Sequence, residues 1–323
     1  MFLGIEIGGT KLQLGLGEGN GKLAGLWRDR IEPANGPEGI RQQIMEAVPF
    51  LLDDVGMQPS NLEAVGIGFG GPVDDARHTV IKSHQIAGWD DFPLAKWIGD
   101  FLQLPAYLAN DSDVAGLAEA STGAGRGLSP IYYMNIGSGI GGGFIVDGRV
   151  YRGTGKGAAE TGHLRIAVPA ESGLRYHTLE DLASGWGIER RARALLAKSG
   201  HLEDGIWPED AATSVNVEQI GMAARAGSAL AREILDPAID ALAEALCHVI
   251  ALLCPRRIVV GGGVALLGEE TLFKPLSARV QSRVFVPFGT CYKLVSAALG
   301  EEVVVHGALI WASQSLAKDP ARQ

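Results

Sequence analysis

The sequence predicts an α/β protein built as two domains of similar plan. Three observations carry this. Apolar runs of strand length end on glycine turns at residues 8–9, 137–139 and 261–263. Segments with helical spacing lie between those strands. The opening order of strand, glycine turn and strand returns from residue 130, a weak internal repeat.

Residues 2–31 read as a β-meander, with a second turn at Gly19-Asn20-Gly21. In 37–55, Ile40, Ile44, Val48 and Leu51 fall on one face of a helix that starts at Pro37. "LEAVGIGFGGPVD" is a buried strand running into a glycine-rich loop, and "DFPLAKWIGDFL" a second helix. "AYLANDSDVAGLAEAS" is a strand feeding a third helix. From residue 130, "PIYYMNIGSGIGGGFIVDGRVYRG" returns to strands around glycine turns. Residues 218–253 are helical with an interruption near Pro237, "RRIVVGGGVALLG" is a buried strand, and "EEVVVHGALIWASQSLA" closes the chain as a helix.

The 323 residues are 46% hydrophobic, enough for two cores, and the net charge is −9. An acidic chain without an arginine- or lysine-rich arm argues against nucleic-acid binding. Cys247, Cys254 and Cys291 have no CxxC spacing and suit reduced thiols better than disulfides or a zinc site. The opening "MFLGIEIGG" has no basic n-region or cleavage signal, and no apolar stretch reaches ~20 residues. These features predict a soluble, cytoplasmic protein with no membrane partner.

Glycine turns after strands bring backbone N–H groups close to a ligand and suit phosphate. Three of them outweigh one, and none is a Walker A loop, since GxxxxGK[ST] is missing. In "LANDSDVAGLAEA", Asn110 and Asp111 fall where a strand ends and a helix begins. Asp111 is read either as a helix cap or as a general base at the carboxyl end of a strand.

Taken in order, these motifs resemble the ROK (repressor, open reading frame, kinase) family of sugar kinases. "GIEIGGTK" is similar to the family's first phosphate loop, and "GIGFGGPVD" with "HQIAGWDDFPL" to its sugar-side segment. "NDSDVAGLAE" is similar to the catalytic strand and helix. "NIGSGIGGGFIVDGRVYRGTGKGAAETGH" resembles the second phosphate loop and the path to the sugar, and "IVVGGGV" the adenosine motif. The resemblance spans nearly the whole chain. It implies a two-domain actin-like ATPase (ribonuclease H-like) fold with an active-site cleft between the domains. Residues 1–115, joined by the C-terminal helix at about 303–318, would form the small domain and 116–302 the large one.

The resemblance further implies an ATP-dependent kinase that phosphorylates a hexose hydroxyl, with Asp111 as the base. Gly71, Asn110, Glu160, His163 and Glu180 would contact the sugar. Gly8, Gly9, Thr10 and Lys11 would wrap the β/γ-phosphates, Gly137, Ser138 and Gly139 would face them, and Gly262 would approach the adenosine. Mg²⁺ is expected with ATP, and a homodimer or larger homo-oligomer is expected by resemblance alone. Repressors of the family carry an N-terminal helix-turn-helix, whereas here the first loop begins at residue 4.

Three departures stand out. Glu6 replaces the family's aspartate, and it is assigned to Mg²⁺ through water. The family's CxCGxxGC zinc cluster is replaced by "GHLRIAVPAESGLRYHTLE", with Glu171, Gly173 and Thr178 at cysteine positions. No structural zinc is expected, His163 would be held by hydrogen bonds instead, and Glu171 and His177 read as solvated loop residues. Gln85 and Asp113 each replace an asparagine near the sugar. The alternative function is a catalytically weakened or inactive sugar sensor.

Overall fold

The computed structural model describes residues 1–318 except 75, 84, 155–156 and 199–205. On the sequence His84 and His201 suit surface or satisfied core positions; both lie outside the described residues. The chain divides into two compact units. The first takes the described residues within Met1–Tyr133, Gly143–Ala158 and Ala298–Gln323, the second Met134–Gly142 and Ala159–Ala297.

In the first unit, β1 (Phe2–Ile7), β2 (Lys11–Gly17) and β3 (Leu23–Arg30) form the antiparallel meander. Every residue of β1 is buried, as for a strand covered on both faces. α1 (Gly36–Asp54) has Pro37 in its first turn and buries Ile40, Ile44, Val48 and Leu51, the face that the spacing predicts. β4 (Ala64–Phe69) pairs parallel with β1. β5 (Val73–Asp74) and β6 (Thr79–Val80) make a separate hairpin. α2 (Leu94–Leu102) precedes β7 (Ala106–Asn110), which pairs parallel with β4 and runs into α3 (Asp111–Ser121). The sheet order is β3-β2-β1-β4-β7.

The second five-stranded sheet starts from β8 (Ile131–Ile136), β9 (Ile140–Val146) and β10 (Arg149–Val150). A two-stranded hairpin, β11 (Arg165–Ala170) with β12 (Gly173–Thr178), follows. α4 (Leu179–Ala183), α5 (Gly185–Leu196), α6 (Ala211–Ser214), α7 (Val217–Arg225) and α8 (Ala229–Leu253) lead to β13 (Arg257–Gly261). α9 (Lys274–Arg283) and β14 (Lys293–Ser296) complete this part, with sheet order β10-β9-β8-β13-β14. Numbered by chain order within each sheet, both read third-second-first-fourth-fifth. The internal repeat is therefore real, and the duplicated order is that of the actin-like ATPase fold. α10 (Val303–Leu316) packs on α3, β1 and β4 in the first unit.

One helix expectation is corrected. The break does not fall at Pro237, which lies inside α8. It falls at Ala226–Ser228, where Gly227 has φ +96° and the Ser228 side chain accepts from Ala231 N–H. Proline removes one N–H from α8, and the Arg191 guanidinium donates to the Ile234 carbonyl in the preceding turn at 3.2 Å.

Candidate active site

The first glycine turn joins β1 to β2. Gly8 N–H donates to the Lys11 carbonyl at 3.0 Å, and this closure sets Glu6 opposite Gln13 in the sheet. Gly8 and Gly9 are half-buried and Thr10 is exposed. Gln85, expected beside a sugar hydroxyl, lies against this turn instead: a Cβ on Gly9 would stand 1.3 Å from its Oε1. The longer amide thus links the sugar-side segment to the phosphate turn.

At the end of β7, Asn110 rather than Asp111 caps α3. Its Oδ1 accepts from Ser112 N–H at 2.9 Å and Asp113 N–H at 3.4 Å. Its Nδ2 donates to the Gly71 carbonyl at 3.0 Å, which ties the sugar-side loop to α3 and leaves a second amide hydrogen. Asp111 is then the first residue of the helix. Its Oδ1 accepts from Ser112 N–H at 2.7 Å and Ser112 Oγ–H at 3.2 Å. Its Oδ2 reaches the flank of Gly70, where an added Cβ would lie 3.5 Å from that oxygen and 3.6 Å from Gly8 Cα. The candidate base and the phosphate turn therefore converge on Gly70, a residue that sequence reasoning did not select.

Asp113, two residues on, has a different partner. It is buried and ion-paired with Arg152, which follows β10. Its charge is matched by that guanidinium.

Glu6 is 8% exposed. Burial raises its pKa from the ordinary 4.5 to about 7, against the opposing pull of Lys11, with Asp111 and Glu301 raising it further. Oε1 lies 3.2 Å from Lys11 Nζ and Oε2 accepts from Gln13 Nε2 at 3.0 Å. This donor set does not suit Mg²⁺. Each oxygen already carries an N–H donor, one of them a cation, in a side chain 10% exposed. Mg²⁺ keeps several waters and needs room for them.

In the second unit, the turn Gly137-Ser138-Gly139 connects β8 to β9. Gly137 N–H donates to the Gly139 carbonyl at 3.0 Å, and Gly185 N–H at the start of α5 donates to the Gly137 carbonyl at 2.8 Å. Glu180 braces this turn, with Oε2 accepting from Ile140 N–H at 2.8 Å. Oε2 is thus spent on the backbone. Gly262 has φ +85°, and its added Cβ would meet the Ile136 carbonyl at 2.5 Å, so only glycine fits there.

Glu160 precedes a short 3-10 turn, Thr161–His163, that ends on His163, and both side chains are exposed. Among the described residues no hydrogen bond holds the His163 ring, contrary to expectation. The segment aligned with the zinc cluster is the β11–β12 hairpin. Glu171 sits in its turn, Gly173 has φ +112°, and Thr178 caps α4 in a box with Asp181. Among the described residues no group of three or more His, Cys, Asp or Glu could hold a metal ion. No helix among them is long and apolar enough to cross a membrane.

The chain is similar to known sugar kinases along nearly its whole length. A glucokinase from Thermotoga maritima is 30% identical over 311 residues, covering 95% of both chains. The crystal structure of a ROK family glucokinase from Streptomyces griseus, in complex with glucose and AMPPNP, superposes with TM-score 0.79 at 29% identity, covering 97% of this chain and 99% of that one. A ROK hexokinase from Thermus thermophilus gives the same TM-score at 26% identity, covering 98% and 99%. The ROK family profile matches residues 2–315, and the chain belongs to the ROK family.

Proposed function

We propose that this chain is an ATP-dependent hexose kinase that transfers the γ-phosphoryl group to a sugar hydroxyl, with Asp111 as general base. One observation carries the reading. Asn110 takes the helix cap, so the Asp111 carboxylate stands clear of that duty with Oδ2 beside Gly70 and the Gly8 turn. The sugar and nucleotide in the Streptomyces griseus relative, and the glucokinase activity named for the Thermotoga maritima relative, support the substrate class.

The chemistry follows from the residues. Asp111 accepts the hydroxyl proton as the sugar oxygen attacks the γ-phosphorus, and the bond to the β,γ-bridging oxygen breaks to release ADP. Asn110 and Gly71 fix the start of α3 against the sugar-side loop, so the base is held in place. Backbone N–H groups of the Gly8–Lys11 and Gly137–Gly139 turns and the Lys11 ammonium supply positive partners for the phosphates. Glu160, His163 and Glu180 are assigned to the sugar hydroxyls, and Gly262 to the adenosine. Mg²⁺, brought in on ATP, would neutralise phosphate charge. The use of ATP and three free thiols suit the cytoplasm.

The test is ADP release from ATP and Mg²⁺ across hexoses and N-acetylhexosamines. Release that depends on one sugar supports the kinase and names its substrate. Folded protein that binds a sugar calorimetrically yet releases no ADP with any of them overturns it in favour of a sensor.

A further inference from the structure

Four groups close a ring beside the first phosphate turn. Lys11 Nζ lies 3.2 Å from Glu6 Oε1 and donates to the Glu301 carbonyl at 2.9 Å. Gln13 Nε2 donates to Glu6 Oε2 at 3.0 Å and to that same Glu301 carbonyl at 3.0 Å. The ring is prepared by the backbone. The four-residue closure between β1 and β2 sets Glu6 across from Gln13, and Glu301 sits in the 3-10 turn Gly300–Glu302 that leads into α10. Gln13 is fully buried, and its Oε1 has no hydrogen-bond partner among the described residues. Leaving a buried acceptor unmade costs about 1–3 kcal/mol. The amide is held in this orientation because both Nε2 hydrogens are used, one on the carboxylate and one on the carbonyl.

We propose that Glu6 is the counter-ion that fixes Lys11 at the phosphate turn, with Gln13 as its positioning residue, and that it is not the carboxylate that organises the divalent cation. The proposal rests on the kinase reading for its meaning, since Lys11 is held for the donor phosphates. An ammonium at 3.2 Å cancels most of the charge that a dication would seek. The glutamate's extra methylene, relative to aspartate, lets one carboxylate reach Lys11 and Gln13 together. It is the length of the arm, not a misplaced metal ligand, that explains why position 6 is not aspartate.

The test uses the full chain and AMPPNP binding by calorimetry, at saturating Mg²⁺ and in EDTA, alongside the Mg²⁺ dependence of sugar phosphorylation. Lys11→Met and Glu6→Gln should each weaken AMPPNP binding about tenfold in both conditions, and Gln13→Leu about threefold. The double variant Lys11→Met/Glu6→Gln should be no weaker than either single one, because both remove one interaction. Glu6→Asp should also lose affinity, since the shorter arm drops Lys11. The half-saturating Mg²⁺ concentration should stay within about twofold in all of them. The proposal is overturned if Glu6→Gln raises that concentration tenfold or more with AMPPNP affinity in EDTA unchanged, if the two losses simply add, or if Glu6→Asp binds as well as wild type. The double-variant comparison reads binding, so it stands even if wild type phosphorylates no sugar, an outcome that would sink the kinase reading alone. Thermal melts of each variant confirm that the readings come from folded protein.

Discussion

Glu119 and Glu6 are two buried carboxylates in the same unit, solved in opposite ways. Glu119, with none of its surface exposed, is held by backbone: Oε2 accepts from Ala124 N–H at 2.7 Å, and Oε1 from Ala298 and Leu299 N–H at 2.8 and 2.9 Å. Glu6 is held by the tips of two side chains, Lys11 and Gln13. Backbone donors cannot move without moving the fold, so Glu119 is a rivet between the end of α3 and the entry to α10. Side-chain donors can be re-aimed without moving the fold, so the pairing of Glu6 can change where that of Glu119 cannot. Glu180 stands between the two, with one oxygen on Ile140 N–H.

The largest effect should come from breaking the rivet. Glu119→Ala removes the one carboxylate to which three backbone N–H groups donate, a loss on the order of 4 kcal/mol at about 1.5 kcal/mol for each hydrogen bond to a charged group. Chemical denaturation reads this loss, and the folded remainder should keep its nucleotide affinity.

Glu6→Gln should act through pH. Burial raises the folded pKa to about 7 from 4.5, so the folded chain keeps a proton that the unfolded chain has released between those values. The contribution of Glu6 to wild-type stability therefore falls as pH rises through that window and is level above it. The glutamine variant has no such proton, and its advantage over wild type should grow from pH 4.5 to about 7, to on the order of 3 kcal/mol. Parallel melts across that range check it, and a constant difference would refute the assignment.

Smaller effects sharpen the middle case. An added methyl on Gly139 would stand 2.4 Å from Glu180 Oε2, whereas on Gly137 it meets nothing within 4 Å. Gly139→Ala should lower stability by about 2 kcal/mol through overpacking and weaken sugar binding by displacing Glu180, with Gly137→Ala the milder change in melting temperature. Thr178→Ala removes the cap of α4, the helix that carries Glu180, and should lower stability by about 1 kcal/mol.

What the sequence made legible were features whose causes are local. Glycine turns after strands, the buried face of α1 and the Asn110–Asp111 junction all follow from spacing within a few residues. The pairing of Glu6 with Gln13 was also within reach, because a hairpin that closes from Gly8 to Lys11 puts those two positions opposite each other. Asp113 with Arg152 was not, since 39 residues separate them. Nor were the donors to Glu119, which come from residues 124, 298 and 299. Pro237 misled because proline's missing N–H is a local signal, while its tolerance inside α8 is tertiary. The segment aligned with the family's zinc cluster was legible only in part: the missing cysteines could be read, but the β11–β12 hairpin that stands there could not.

The kinase account turns on the carboxylate at the start of α3, and the most direct measurement is the initial rate of Asp111→Asn against wild type at saturating sugar, ATP and Mg²⁺. Loss of the base should lower the rate about a hundred- to ten-thousand-fold, with sugar affinity by calorimetry kept within a few-fold. A variant that turns over within threefold of wild type would contradict the assignment of Asp111 as the group that takes the proton.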